Sequence, residues 1–158
     1  MVIAAILGKM VTLAKEYSFG FAERAMSVAF RSLTRAGIGA RYRYVLTVRE
    51  RKSGKSYSTP VDVMDVAGDR WLVAPYGEVN WVRNARAADM ADLARGGVTE
   101  HFGIEEATTA QAVPVIREYI RYVPVTRSYW ECGAESTDDE IVGQVPSHPV
   151  FRLVQVSA

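Results

Sequence analysis

The pattern of apolar and polar positions predicts β-strands through the middle of the chain and at its end. Alternating side chains, rich in valine and tyrosine, are typical of strands that bury one face. The predicted strands are 42–49, 57–66, 70–74, 98–106 and 149–156. Only Ala67-Gly68-Asp69 separates the second strand from the third, so we expect these two to pair antiparallel.

Helical periodicity alternates with these strands. The alanine-rich segment 81–93 is predicted to be a helix that ends at Gly96-Gly97. A further helix is predicted at 109–122, with Pro114 in its first turn. Antiparallel strands of meander type with short helices between them predict an α+β protein built on a small β-barrel.

The first 36 residues are predicted to be an N-terminal helical extension, ahead of a barrel domain at 37–158. Residues 3–17 and 19–33 each carry an apolar stripe at helical spacing, which predicts amphipathic helices. We expect these stripes to pack on the barrel or on a partner subunit, and peripheral contact with a membrane surface is the alternative. The opening apolar run lacks the basic start and the length of a signal peptide, and no stretch of about 18 uncharged apolar residues could span a bilayer.

Cysteine and histidine are scarce among the 158 residues. A single cysteine, Cys132, excludes an internal disulfide and a multi-cysteine zinc site. The two histidines, His101 and His148, leave little from which to build a transition-metal site, so we predict no metal. A lone thiol favours a reducing, cytoplasmic compartment.

The net charge of +1 conceals an uneven distribution. Residues 31–55 hold eight bases and one acid, Glu50, whereas residues 62–158 hold fifteen acids and eight bases. Such a distribution favours an anionic ligand near the basic segment over nucleic acid, which usually requires a strongly basic domain. The alternative interpretation is a solvated basic face.

Two segments carry candidate binding chemistry. The first, at 49–60, is a cationic turn in which Gly54 permits a tight bend and brings backbone amides towards a ligand, while arginine and lysine bind phosphate or carboxylate. The second, at 71–84, joins a strand end to the start of a helix, where backbone amides can bond the carbonyl edge of a planar ring. Tyr76 and Trp81 are suited to flank such a ring.

These two segments resemble the deazaflavin-dependent nitroreductase family, which uses coenzyme F420. The likeness rests on Arg51-Lys52-Ser53-Gly54-Lys55 with Thr59-Pro60, and on Ala74-Pro75-Tyr76-Gly77 with Trp81-Val82-Arg83-Asn84. It extends from about Tyr44 to the end of the chain. The resemblance implies a split β-barrel of the FMN-binding-like type, mostly antiparallel.

The resemblance also implies a set of cofactor-binding positions. The phosphate and glutamate tail of F420 would be bound by Arg51, Lys52, Ser53 and Lys55, with contacts continuing through Ser58, Thr59 and Pro60. The deazaflavin ring would be lined by Ala74, Pro75, Tyr76 and Gly77, with Trp81, Val82 and Asn84 beside it. The chain departs from the family at Glu50, where glycine is usual, and at Tyr57, where arginine is often found.

The implied activity is hydride transfer from reduced F420 to an unsaturated, quinone or nitroaromatic small molecule, which the apolar N-terminus suggests is lipid-like. The acceptor also needs a proton, and tyrosine is protonated at neutral pH. Tyr76, Tyr119, Tyr122 and Tyr129 are the candidate donors, and Tyr76, Tyr122 and Tyr129 are predicted to be the catalytic set. The main alternative is a non-catalytic F420- or lipid-binding protein. An FMN-dependent oxidase of the pyridoxamine phosphate type and a haem-binding barrel are further alternatives, and a homodimer is a candidate assembly.

Overall fold

The computed structural model describes residues 28–29, 31–34 and 36–157, and six strands of this part of the chain close into a β-barrel. The strands are β1 (Arg43–Arg49), β2 (Ser56–Val66), β3 (Asp69–Val73), β4 (Met90–Arg95), β5 (Val98–Glu106) and β6 (Val150–Gln155). Around the barrel they follow the order β1-β2-β3-β6-β5-β4, and every neighbouring pair is antiparallel. The predicted α+β barrel is therefore confirmed.

One predicted helix is wrong in its second half. The helix expected at 81–93 is α1 (Asn80–Ala88), and the chain then reverses at Asp89, which has a φ of 59°. Strand β4 follows at once, pairs with both β1 and β5, and completes the barrel. The alanine content favours helix, but Leu93 reaches full burial only as a barrel strand, so tertiary pairing overrides local propensity.

The glycine pair after this strand has a different role from the one that the sequence predicted. Gly96 and Gly97 have φ values of 58° and 77°, and Arg95 pairs directly with Val98. Two consecutive positive φ values are the signature of a two-residue hairpin turn, for which glycine is well suited. The pair therefore joins two strands and does not end a helix.

Helix α2 (Thr109–Tyr122) has the predicted bounds, and it packs against the outside of the barrel. Its start is stabilised by a capping box, in which Thr108 and Gln111 satisfy each other's backbone amides. Pro114 lies in the second turn, beyond the predicted first turn, and its exposed position places it away from the barrel. The chain between α2 and β6 holds a 3₁₀ helix (Pro124–Tyr129), α3 (Asp138–Val142) and a second 3₁₀ helix (Val145–Ser147).

The core has two parts, which lie on the two faces of the sheet. The interior cluster fills the barrel and consists of residues such as Leu46, Val63, Leu72, Leu93 and Phe151, together with Trp81 and Val82 of α1. The outer cluster lies between the barrel and α2 and includes Met64, Trp71, Ile116, Tyr119 and Trp130.

The N-terminal extension expected at 1–36 falls mostly outside the described residues. Residues 28–29 and 31–34 are helical, and the guanidinium of Arg31 donates to the backbone carbonyl of Ser58 on β2. Among the residues that the structure describes, no helix combines the length and the apolar character needed to cross a bilayer.

Candidate functional site

A cavity of about 200 Å³, the first cavity, opens where β2, β3, α1 and α2 meet. It brings together both segments that the sequence singled out, since Thr59 and Pro60 come from the first and Pro75, Tyr76 and Trp81 from the second. Its remaining lining residues are Tyr57, Val61, Asp62, Val73, Val79 and Tyr119. Aromatic and apolar walls with a few polar groups are typical of small-molecule sites.

A buried polar network forms part of the wall of the first cavity. Arg43 Nε donates to Asp62 Oδ1 at 2.8 Å, and the Arg43 Nη2 donates to Oδ2 at 3.2 Å. Tyr119 lies on α2 and donates its hydroxyl to the same Oδ2 at 3.1 Å. This arrangement satisfies a carboxylate that is only 8% exposed, as a buried charge requires.

The network controls how its members ionise. Burial raises the pKa of Tyr119, and the neighbouring Asp62 carboxylate raises it further because a second negative charge beside it is unfavourable. Burial alone would lower the pKa of Arg43, but its hydrogen bond and charge interaction with Asp62 outweigh that effect and raise it. Tyr119 therefore keeps its proton and acts as a hydrogen-bond donor to Asp62.

A second cavity, of about 300 Å³, is also bordered by Tyr76. The two cavities share Pro75 and Tyr76, so they are neighbours. The other lining residues of the second cavity are Gly77 and six residues from the C-terminal third of the chain: Tyr129, Glu131, Gly143, Gln144, Ser147 and His148.

Two of the predicted catalytic tyrosines meet at this cavity. The rings of Tyr76 and Tyr129 contact edge to face, with centroids 4.7 Å apart. Burial raises the pKa of Tyr76, and the nearby Tyr129 and Asp62 raise it further. The Tyr76 hydroxyl can therefore be a proton donor at neutral pH. The third predicted donor, Tyr122, is exposed near the end of α2 and lines neither cavity.

The bend between the two cavities depends on one glycine. Gly77 has a φ of 81°, a conformation that favours glycine. A Cβ atom there would meet the carbonyl oxygen of Ser147 at 3.2 Å. The chain after β3 can therefore approach the second 3₁₀ helix closely, which brings Tyr76 and His148 to one cavity.

His148 is the most deeply buried of the polar residues that line the second cavity. Its ring stacks on Trp130 with centroids 4.0 Å apart, and its Nδ1 is buried without a hydrogen-bond partner among the described residues. Burial lowers the pKa of His148, an effect that the backbone of Ala74 and Pro75 partly opposes. The imidazole is therefore neutral at physiological pH.

The cationic hairpin joins the end of β1 to the start of β2, and residues 51–55, the hairpin tip, are all exposed. Two of its backbone amides are used within the hairpin: the Ser53 amide donates to the Glu50 carboxylate at 2.7 Å, and the Gly54 amide donates to the Glu50 carbonyl at 2.8 Å. The pKa of Glu50 is lowered by the hydrogen bond from Ser53. The sequence predicted that backbone amides of this turn would face a ligand. In the structure the amides of Ser53 and Gly54 bond within the turn, so the charged side chains are the groups exposed to a ligand.

The other residues implied by the family resemblance have mainly structural contacts. Ala74 and Val82 are fully buried in the interior cluster. Ser58 shares a hydrogen bond of 2.8 Å with Thr47 across the strand pair. Asn84 is buried on α1 and bonds to Arg51 of the hairpin tip.

Several residues of the site escaped the sequence interpretation, Arg43, Asp62 and Glu131 among them. The signal for Asp62 is its strand position, because alternation places it on the same face as Met64, which α2 covers. An acidic residue on a face that packs against a helix needs a partner. Its identity could not be read from the sequence, since Arg43 and Tyr119 lie 19 and 57 positions away.

The comparisons with known proteins support the fold. No family model matches the chain, and no curated protein sequence matches it. Among solved structures, a protein of unknown function from Agrobacterium tumefaciens is similar over 78% of this chain, with a TM-score of 0.56 and 15% identity. This chain spans about half of that protein, 52% of its length.

Two further solved structures match over nearly their whole length. An F420-H2 dependent reductase is similar over 72% of this chain and 94% of its own, with a TM-score of 0.52 and 18% identity. A protein described as a domain-swapped dimer is similar over 88% of this chain and 98% of its own, with a TM-score of 0.55 and 16% identity. At these identities the likeness shows a shared split-barrel fold.

Proposed function

We propose that this protein is an oxidoreductase that binds coenzyme F420 and transfers a hydride from its reduced form to a small molecule. The main support is the first cavity, whose walls combine Thr59 and Pro60 with Pro75, Tyr76 and Trp81. These residues belong to the two motifs that resemble the deazaflavin-dependent nitroreductase family. Similarity in fold to an F420-H2 dependent reductase is consistent with the proposal.

The size of the first cavity fits the head of such a ligand and leaves its tail outside. At about 200 Å³ it is smaller than the roughly 300–1,000 Å³ of complete small-molecule sites. The bases of the hairpin tip line neither cavity, but the tip directly precedes β2, whose Tyr57 and Thr59 line the first cavity. In this proposal an acidic tail that leaves the cavity extends along β2 to these exposed bases. Arg51, Lys52 and Lys55 would neutralise its charge.

Each group of residues then has a distinct task. Trp81 and Pro75 bind and orient the planar ring, and the network around Asp62 supplies the polar part of the wall. When bound, the reduced coenzyme supplies the hydride. Tyr76 and Tyr129 line the second cavity, where the acceptor would bind, and their hydroxyls are the candidate proton donors.

The second cavity favours a polar acceptor. Its walls include Glu131, Gln144, Ser147 and His148, groups that hydrogen-bond and do not suit a lipid chain. Within the substrate classes that the sequence suggested, a nitroaromatic or a quinone fits these walls best. The similarity to a domain-swapped dimer supports a further proposal, that the protein assembles as a homodimer.

The proposal is tested by titrating the protein with F420 and with FMN while following cofactor fluorescence. Preferential binding of F420 is expected. The absorbance of reduced F420 is then followed with menadione, cyclohexenone and a nitroimidazole as acceptors, and protein-dependent oxidation is expected with the quinone or the nitro compound. Tight F420 binding without oxidation by any acceptor would favour the non-catalytic alternative, and preference for FMN would contradict the cofactor assignment.

Three matched variants test the proton donors. Tyr76→Phe and Tyr129→Phe are expected to lower the rate of oxidation by about 100-fold or more if that residue donates the proton. Tyr122→Phe removes the same hydroxyl from a residue outside both cavities and is expected to leave the rate unchanged. If Tyr122→Phe lost activity while Tyr76→Phe and Tyr129→Phe kept it, the assignment of the donor to Tyr76 or Tyr129 would be wrong.

A further inference from the structure

The buried side chain of Asn84 joins helix α1 to the hairpin tip. Asn84 is fully buried, and its Oδ1 accepts two hydrogen bonds from Arg51. The backbone amide of Arg51 donates at 3.2 Å and its guanidinium at 2.8 Å, across 33 positions of sequence. Asn84 therefore holds both the main chain and the side chain of the first cation in the tip.

The orientation of the Asn84 amide follows from these contacts. Both Arg51 groups at this contact, the backbone N–H and the guanidinium, are donors, so the oxygen of Asn84 must face them and the nitrogen points elsewhere. That nitrogen, Nδ2, is buried without a partner among the described residues. A buried donor without an acceptor is destabilising, and the neighbouring positions Val82 and Ala85 are apolar. An apolar side chain would thus serve packing at least as well.

Helix α1 links the contact between Asn84 and Arg51 to the first cavity. Asn84 lies three residues after Trp81 on the buried face of α1, and Trp81 lines the first cavity. The guanidinium of Arg51 uses one of its nitrogens for Asn84, and arginine keeps further donors for a ligand. Lys52 and Lys55, by contrast, have no side-chain hydrogen bond among the described residues, so their ammonium groups are not fixed in this way.

We propose that Asn84 is a positioning residue that holds Arg51 ready for the anionic part of a ligand whose ring occupies the first cavity. An exposed arginine normally loses side-chain entropy when it binds an anion, whereas one already held in place loses less. The unpartnered Nδ2 is the structural compromise that this arrangement requires. The inference rests on the proposed function, because it assigns the acidic tail of F420 as that anionic part.

The experiment measures binding of F420 and of the same deazaflavin without phosphate and glutamates to the wild type, Asn84→Ala, Arg51→Ala and the double variant. Asn84→Ala is expected to weaken F420 binding about five-fold and to leave binding of the tail-less deazaflavin unchanged. In the Arg51→Ala background, Asn84→Ala is expected to have no further effect on F420, since the two residues act as one unit.

Two controls separate positioning from a general effect on folding or charge. Arg86→Ala removes a cation of the same helix, one that pairs with Glu78 and Glu106, and is expected to leave both affinities unchanged. Thermal melting of Asn84→Ala is expected to show no loss of stability. Weakened binding of both deazaflavins by Asn84→Ala, or additive losses in the double variant, would overturn the positioning role.

The inference and the proposed function fail in different ways. A wild type that binds F420 with an affinity that Asn84→Ala does not change overturns the inference and leaves the proposed function intact. If the wild type does not bind F420, the proposed function fails, and the variants are titrated with inorganic pyrophosphate. Weaker pyrophosphate binding by Asn84→Ala than by wild type then supports the positioning role, whereas equal binding, or none by the wild type, overturns it.

Discussion

The two clusters of the core differ in what they bury. The interior cluster is hydrophobic, with strands of the barrel supplying most of its side chains, and Asn84 of α1 is a buried polar residue at its edge. The outer cluster, beneath α2, packs against polar groups that are equally buried: Asp62 bonds to Tyr119, and His148 stacks on Trp130. Both cavities of the candidate site are bordered by this polar layer.

The difference between the two clusters separates residues that only stabilise the fold from residues that also border the candidate site. An apolar interior depends on packing alone and tolerates no voids. The outer layer depends on each polar group finding a partner, and one that it holds, His148 Nδ1, has none among the described residues. We therefore expect substitutions in the interior to act on folding and substitutions in the outer layer to act on both folding and ligand binding.

The largest effect is expected from Leu72→Ala. Leu72 is fully buried in the barrel interior between β2 and β6, and its truncation leaves a void. We expect a loss of about 3 kcal/mol in the free energy of unfolding, measured by urea denaturation. Val125→Ala, at a position that is 70% exposed, is the control and is expected to change little. Equal, small losses in both variants would contradict the assignment of Leu72 to the core.

A smaller loss is expected from Asp62→Ala. This change removes the carboxylate that pairs with Arg43 and accepts from Tyr119. Breaking a buried ion pair is strongly destabilising, and the partial exposure of Arg43 reduces the effect to about 2 kcal/mol. Urea denaturation measures it, and the same variant is expected to bind the F420 ring more weakly. Unchanged stability together with unchanged binding would remove the network from the site.

Tyr119→Phe removes one hydrogen bond of the same network and keeps the ion pair between Arg43 and Asp62. The ring keeps its contact with Trp130, whose centroid lies 5.8 Å away, while the hydrogen bond to Asp62 is lost. Because Arg43 still pairs with Asp62, we expect a loss of about 1 kcal/mol in stability. A loss as large as that of Asp62→Ala would show that the ion pair depends on the tyrosine, and this is measured in the same denaturation series.

The smallest effect expected is a pH dependence due to His148. Burial holds the pKa of folded His148 below its ordinary value of about 6.5, so the unfolded chain takes up a proton first as pH falls. Its contribution to stability is present above about pH 6.5 and is lost as pH falls towards the folded pKa. Melting temperatures between about pH 8 and pH 5 measure this, and His148→Phe, which can still stack on Trp130, is expected to lose stability less steeply. Parallel curves for the two proteins would contradict the shift.

The sequence predicted most of the barrel because its signals are local. Alternating strands and the short turn predicted at Ala67-Gly68-Asp69 depend on neighbouring residues only. The structure has both, with Asp69 already paired to Val66 so that the turn itself is Ala67 and Gly68. Strand β4 was missed because its alanines favour helix locally, while Leu93 becomes buried only when β1 and β5 are present on either side. The Gly96-Gly97 pair was a hairpin signal that could have corrected it.

What the amino acid order alone determined is the alternation of the strands, the basic turn and the two motifs that meet at the first cavity, since each is a property of adjacent residues. Tertiary structure decided which distant groups come together. It joined Arg43 and Tyr119 at Asp62, Tyr76 and Tyr129 at the second cavity, and Arg51 with Asn84. Such contacts depend on closing the barrel and packing α2 on it, and no local pattern encodes the partner of a buried charge.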